Sequence, residues 1–85
     1  MSKIVVSVIG LDCPGVVYAV SSTLSALECN IEEVSQTILK NQFAAIFVAN
    51  KPENLDNNLI HDRLSQAIED RGMHLSVTIR DFEES

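Results

Sequence analysis

Chemistry in this chain concentrates in one short run, Gly10-Leu11-Asp12-Cys13-Pro14-Gly15, followed directly by Val16-Val17. If a helix starts at Pro14, where a missing N–H costs nothing, the amides of Gly15, Val16 and Val17 lie unpaired at its first turn. That end carries partial positive charge and suits a carboxylate, and Asp12 beside it can hold an ammonium group. Amide donors next to a carboxylate acceptor match the two poles of an amino acid. The plainer reading, favoured on the residues alone, is that Asp12 caps the helix and the glycines shape a tight turn.

Other candidates are weaker. Cys13 and Cys29 flank the predicted helix, too far apart for a disulfide, and read as small packed thiols. Cys13, near a helix N-terminus, is the better reactive candidate. His61 and His74, thirteen positions apart and without cysteine partners, read as solvated side chains rather than metal ligands. The carboxylate pairs Glu32/Glu33 and Glu83/Glu84 read as solvated charge. No G-x-S-x-G, H-E-x-x-H, C-x-x-C or Walker pattern occurs. No catalytic role is assigned, and no cofactor or metal is expected.

The run at 10–15 must be positioned by the elements around it. Residues 4–9, Ile-Val-Val-Ser-Val-Ile, are a β-branched strand that Gly10 ends. Its two alternating sets are both largely apolar, as in a strand covered on both faces. A helix is expected over 14–28, with Val17, Val20, Leu24 and Leu27 on one face. Residues 31–39 read as a strand with mixed faces. Lys40-Asn41 closes a tight hairpin, and 43–49 form the return strand, again apolar on both faces. A second helix is expected over 55–71, with Ile60, Leu64, Ala67 and Ile68 inward and Gly72 as its stop. Residues 73–81 form a last strand with one apolar and one polar face, and 82–85 are a short acidic tail.

The order βαββαβ with short connections gives an α+β, ferredoxin-like domain spanning 1–85. Its four-stranded antiparallel sheet has strand order 4-1-3-2, with both helices on one face. The other face is apolar too, which is unusual for a monomer, so a second subunit or equivalent domain is expected to cover or extend the sheet.

Composition narrows the partners. Six Lys and Arg stand against twelve Asp and Glu, a net charge of −6, and the cations are scattered. Direct nucleic-acid binding is not expected. No apolar run approaches a membrane span and no secretory signal is seen, so the expected setting is cytoplasmic with reduced thiols.

Residues 4–17, through the Asp12-Cys13-Pro14-Gly15 turn, followed after the helix by Asn30-Ile31, resemble the ACT domain. Asn30-Ile31-Glu32-Glu33-Val34-Ser35-Gln36-Thr37 is similar, more narrowly, to the stand-alone ACT proteins like the glycine cleavage system transcriptional repressor. The resemblance covers 3–81. It implies a regulatory module that binds small molecules, usually amino acids, between paired ACT domains. Residue by residue it implies a ligand site at Gly10, Leu11, Asp12, Cys13, Gly15 and Val16, completed by Asn30 and Ile31 of the other chain of a homodimer. Two positions depart from the amino-acid-binding members. Gly10 stands where these often carry a hydrogen-bonding side chain, and Cys13 where they often carry Arg or Lys. The expected function is a homodimeric amino-acid sensor acting on a regulated protein partner. The alternative is a structural dimerisation or protein-interaction module without a ligand.

Overall fold

The computed structural model describes residues 1–83. The order is β1 (Ser2–Leu11), α1 (Val16–Ala26), β2 (Asn30–Leu39), β3 (Gln42–Lys51), α2 (Asn57–Asp70) and β4 (Leu75–Asp81). The strands form one antiparallel sheet, β2-β3-β1-β4, the expected order read from the other edge. Both central strands alternate strictly. Ile4, Val6 and Val8 of β1 and Phe43, Ala45, Phe47 and Ala49 of β3 are buried beneath the helices. The helices contribute Val16, Val20 and Leu24 from α1 and Ile60 and Leu64 from α2 to the same core, at 3.6-residue spacing. Of the face expected from α2, Ala67 is only half-buried, while Ile68 is buried.

The turns follow from residue type. Lys40 and Asn41 both take positive φ, 48° and 67°, as a two-residue hairpin that matches strand twist requires. Gly72, at φ 70°, follows the Arg71 C-cap of α2. Asp56 caps α2 by accepting from the Asn58 amide at 2.8 Å. The inward alternation of β3 ends on Lys51, which is buried. Its Nζ donates to the Leu55 carbonyl at 2.8 Å and to Asn57 Oδ1 at 2.7 Å, satisfying an otherwise costly buried cation.

Four boundary readings are corrected. Gly10 does not end β1. It lies within the strand, paired with Phe43 on one side and Leu75 on the other. Helix α1 begins at Val16, not Pro14, with Gly15 as N-cap at φ 90° and no side-chain cap, so Asp12 does not cap it. The left-handed Gly15 makes the reversal on its own, leaving the Asp12 carboxylate out of that role. Helix α2 starts at Asn57 rather than 55, because residues 52–55 form a turn closed by the Leu55 amide on the Pro52 carbonyl at 3.1 Å. Strand β4 starts at Leu75, because the Met73 amide is still bonded to the Ile68 carbonyl at the helix exit. In the expected acidic tail, the Phe82 amide bonds the Lys3 carbonyl at 2.9 Å, and residues 84–85 lie outside the described residues.

Candidate functional site

The β1–α1 loop leaves the sheet between two neighbours that hold it by backbone bonds. The Leu11 amide donates to the His74 carbonyl at 2.9 Å, and the Asp12 amide to the Asn41 carbonyl at 2.8 Å. The chain then turns through Pro14 and Gly15 into α1, whose first backbone bond runs from the Ala19 amide to the Gly15 carbonyl at 2.9 Å. With no side-chain cap, the orphan donors of the first turn belong to Val16, Val17 and Tyr18, one position later than the sequence suggested. Asp12 and Cys13 are half-buried beside this turn, Leu11 is exposed, and the Val16 side chain is buried in the core. Gly10, Leu11, Asp12, Cys13, Gly15 and Val16 therefore share one end of the sheet.

Asn30 and Ile31 do not. Asn30 pairs with Asn50, and Asn50 with Lys3, so these residues sit level with the start of β1. Along the strand direction Asn30 is separated from the loop by roughly 25 Å, at ~3.3 Å per residue. Asn30 is exposed, Ile31 half-buried, and a bulge lies between Ile31 and Glu33. Within one chain the two halves of the expected site are at opposite ends.

Gly10 has a packing reason to lack a side chain. A Cβ there would stand 2.2 Å from the His74 carbonyl oxygen and 2.7 Å from the Leu75 Cα. The space that a side chain would use is filled by the start of β4.

The cysteines differ in environment. Cys29 is buried at 4% exposure, and burial, only partly opposed by the Lys51 ammonium, pushes its thiol up. Both thiols are free, and Cys13 is half-buried. Alkylation of the native protein is expected to add a single label, at Cys13, with Cys29 at least about tenfold slower until the chain is unfolded. Mass spectrometry of digested, labelled protein reads this directly, and equal labelling of both would contradict the placement of Cys29.

His61 is exposed, with Nε2 3.0 Å from the Val77 carbonyl oxygen, and His74 is exposed at the entry to β4. Among the described residues no group of three or more His, Cys, Asp or Glu could hold a metal ion. Glu32, expected to be plain solvated charge, accepts from Asn50 Nδ2 and pairs with Lys3 Nζ at 3.3 Å. The Asn50 bond first and Lys3 second hold its carboxyl below the usual range. Sequence reasoning missed Lys51, although period-two alternation through Ala45, Phe47 and Ala49 points it inward. It also missed how bare β2 is: residues 32–39 are all exposed, including Val34 at 41% and Ile38 at 55%. The run of residue types along β2 does not reveal that the helices leave residues 32–39 uncovered.

Comparison with known proteins sets this geometry in context. A family model described as ACT domain matches residues 2–78. A UPF0237 protein of Methanopyrus kandleri is 35% identical over 82 residues, 95% of this chain and 91% of that one. The solved structure of an ACT domain protein from Streptococcus pneumoniae superposes with a TM-score of 0.80 at 25% identity, covering 94% of this chain and 89% of that one. A chain assigned as a glycine cleavage system transcriptional repressor superposes at 0.70 with 13% identity, which is likeness of fold alone. It covers 99% of this chain and 47% of that one. No helix among the described residues is long and apolar enough to cross a membrane.

Proposed function

The chain belongs to the ACT domain family, and from that premise we propose that it is a homodimeric regulatory sensor whose ligand, an amino acid, lies between two chains. The orphan amides of Val16, Val17 and Tyr18 receive the carboxylate, Asp12 receives the ammonium group, and the partner's Asn30 closes the crevice. Leu11, Cys13, Gly15 and Ile31 line it.

The observation that carries this reading is the separation of Asp12 from Asn30. β1 and β2 run parallel, so one chain leaves Asn30 at the wrong end. If two β2 edges pair antiparallel about a two-fold axis, Asn30 of the partner arrives at the Leu39 end, which is the end where the Asp12 amide bonds Asn41. β2 suits such pairing. It is a ten-residue edge strand without proline, the kind of edge that pairs unless blunted, and its exposed Val34 and Ile38 gain cover. Ligand occupancy then favours one arrangement of the two chains over others, and a regulated protein reads that difference. Coupling of this sort is typically ~1–3 kcal/mol.

Isothermal titration of the dimer against the standard amino acids tests the reading. Saturable heat with at least one of them, lost in Asp12→Ala, is the expected result. Silence from every one of them on a confirmed dimer overturns it. The space filled by His74 at Gly10 favours a second reading, an association module without a ligand, and that silence is its expected result.

A further inference from the structure

The carboxylate pair Glu32/Glu33 takes no part in the ligand crevice, yet its first member stands at the irregular point of β2. Asn30 pairs with Asn50 and Ile31 with Ala49, and the ladder then resumes with Glu33 opposite Val48. Glu32 is therefore the extra residue of a β-bulge, without a cross-strand partner. A bulge disrupts the ladder, bends its strand and re-aims the side chains beside it. β2 is also an edge strand, paired on one side only. Before Asn30 the chain is pinned by Cys29, which is buried and whose amide bonds the Leu24 carbonyl at 2.9 Å. After Ile31 the ladder is broken, so strand pairing alone holds Asn30 from one direction.

The Glu32 side chain supplies the other hold. It accepts from Asn50 Nδ2 and pairs with Lys3 Nζ at 3.3 Å. Asn50 is the residue opposite Asn30, and Lys3 is the residue opposite Asn50. The carboxylate thus bonds back onto the row that carries Asn30. That row is itself anchored: Lys3 Nζ lies 5.1 Å from the centre of the Phe82 ring, and the Phe82 amide bonds the Lys3 carbonyl at 2.9 Å. Asn50 and Lys3 are half-buried, on the two strands that have neighbours on both sides. We infer that Glu32 is a positioning residue: through Asn50 it fixes the first three residues of β2, so that Asn30 meets the other chain's loop already aimed. The bond from Asn50 is the first cause of the lowered Glu32 carboxyl, ahead of Lys3, and it is the main tie. The consequence for ligand binding rests on the sensor reading; the hold on Asn30 does not.

Nuclear magnetic relaxation of the free protein, with calorimetric titration of the same variants, provides the test. Glu32→Ala removes both ties. Glu32→Gln keeps a carbonyl oxygen for Asn50 Nδ2 and gives up only the charge. In wild type the backbone order parameters of Asn30 and Ile31 are expected near about 0.85, the rigid value, and in Glu32→Ala at about 0.6 or below. Glu32→Gln returns them to the rigid range. Asn50→Ala loosens the same two residues, and Lys3→Ala leaves them rigid. The melting temperature of Glu32→Ala shifts by no more than about 4 °C, because the residue is exposed, so the loosening is local. Titrated against the standard amino acids, Glu32→Ala binds at least about tenfold more weakly than wild type with the number of sites unchanged, and Glu32→Gln binds within about threefold of wild type. No heat from the wild-type protein overturns the sensor reading and leaves the order parameters to decide the role of Glu32. Asn30 as rigid in Glu32→Ala as in wild type, or as mobile in Glu32→Gln as in Glu32→Ala, overturns the positioning role. Wild-type affinity retained by Glu32→Ala overturns it as well.

Discussion

Asp12→Ala chains and Asn30→Ala chains, each without titratable ligand sites alone, are expected to regain binding when mixed. In a two-fold pair the crevice at one end takes its loop from the first chain and its asparagine from the second, and the other crevice the reverse. A pair made of one chain of each kind therefore has both losses in one crevice and none in the other. Random exchange of equal amounts makes half the pairs mixed, so roughly a quarter of the wild-type number of sites returns, at wild-type affinity. Each single variant loses a charge-assisted or amide hydrogen bond in a shielded site, about 1–3 kcal/mol, or some ten- to a hundredfold in affinity. A site built within one chain cannot be complemented this way. Recovery near zero after confirmed exchange would eliminate the shared crevice while leaving binding by each wild-type chain intact.

The second large effect is at Gly10. Its missing side chain faces backbone, with the His74 carbonyl oxygen 2.2 Å and the Leu75 Cα 2.7 Å from where a Cβ would stand. Backbone in a paired strand cannot swing aside as a flexible side chain can. Gly10→Ala must push β4 away from β1 and loosen the bond from the Leu11 amide to the His74 carbonyl. Overpacking costs typically ~1–3 kcal/mol, and we expect the upper end or beyond, about 3 kcal/mol. A chain of this length is stable by only ~4–13 kcal/mol. The melting temperature should fall by roughly 12 °C or more. Gly72→Ala is the comparison: nothing lies within 4 Å of that Cβ position, so only the positive φ counts, about 1 kcal/mol. Urea unfolding of both variants measures the contrast, and a Gly10→Ala loss no greater than that of Gly72→Ala would refute the steric account.

Gly10 also shows where sequence reading ran out. A glycine after six β-branched and small residues looks like a strand terminator, because nothing nearby in sequence announces that His74, sixty-four positions on, presses against it. Pro14 and Asp12 misled similarly. Both are good helix-start residues, but Gly15 at φ 90° makes the turn itself and leaves α1 to begin after them. What period and spacing could carry came through. The alternation of β1 and β3, the paired positive φ at Lys40-Asn41 and the βαββαβ order are local signals, and right-handed connections leave few sheets that fit them. The two ends of the candidate site were partly legible, since parallel β1 and β2 already imply that Asn30 lies far from Asp12. The bareness of β2 depends on helix placement, which appears only once all four strands are aligned.

The two backbone bonds that hold the β1–α1 loop, to His74 on one side and Asn41 on the other, have a thermodynamic consequence. A loop already fastened at both margins has little freedom left to give up, so on the proposed reading binding energy is not spent on ordering a floppy lid. On the sensor reading proposed above, what remains for a ligand to change is the rigid-body relation of one subunit to the other.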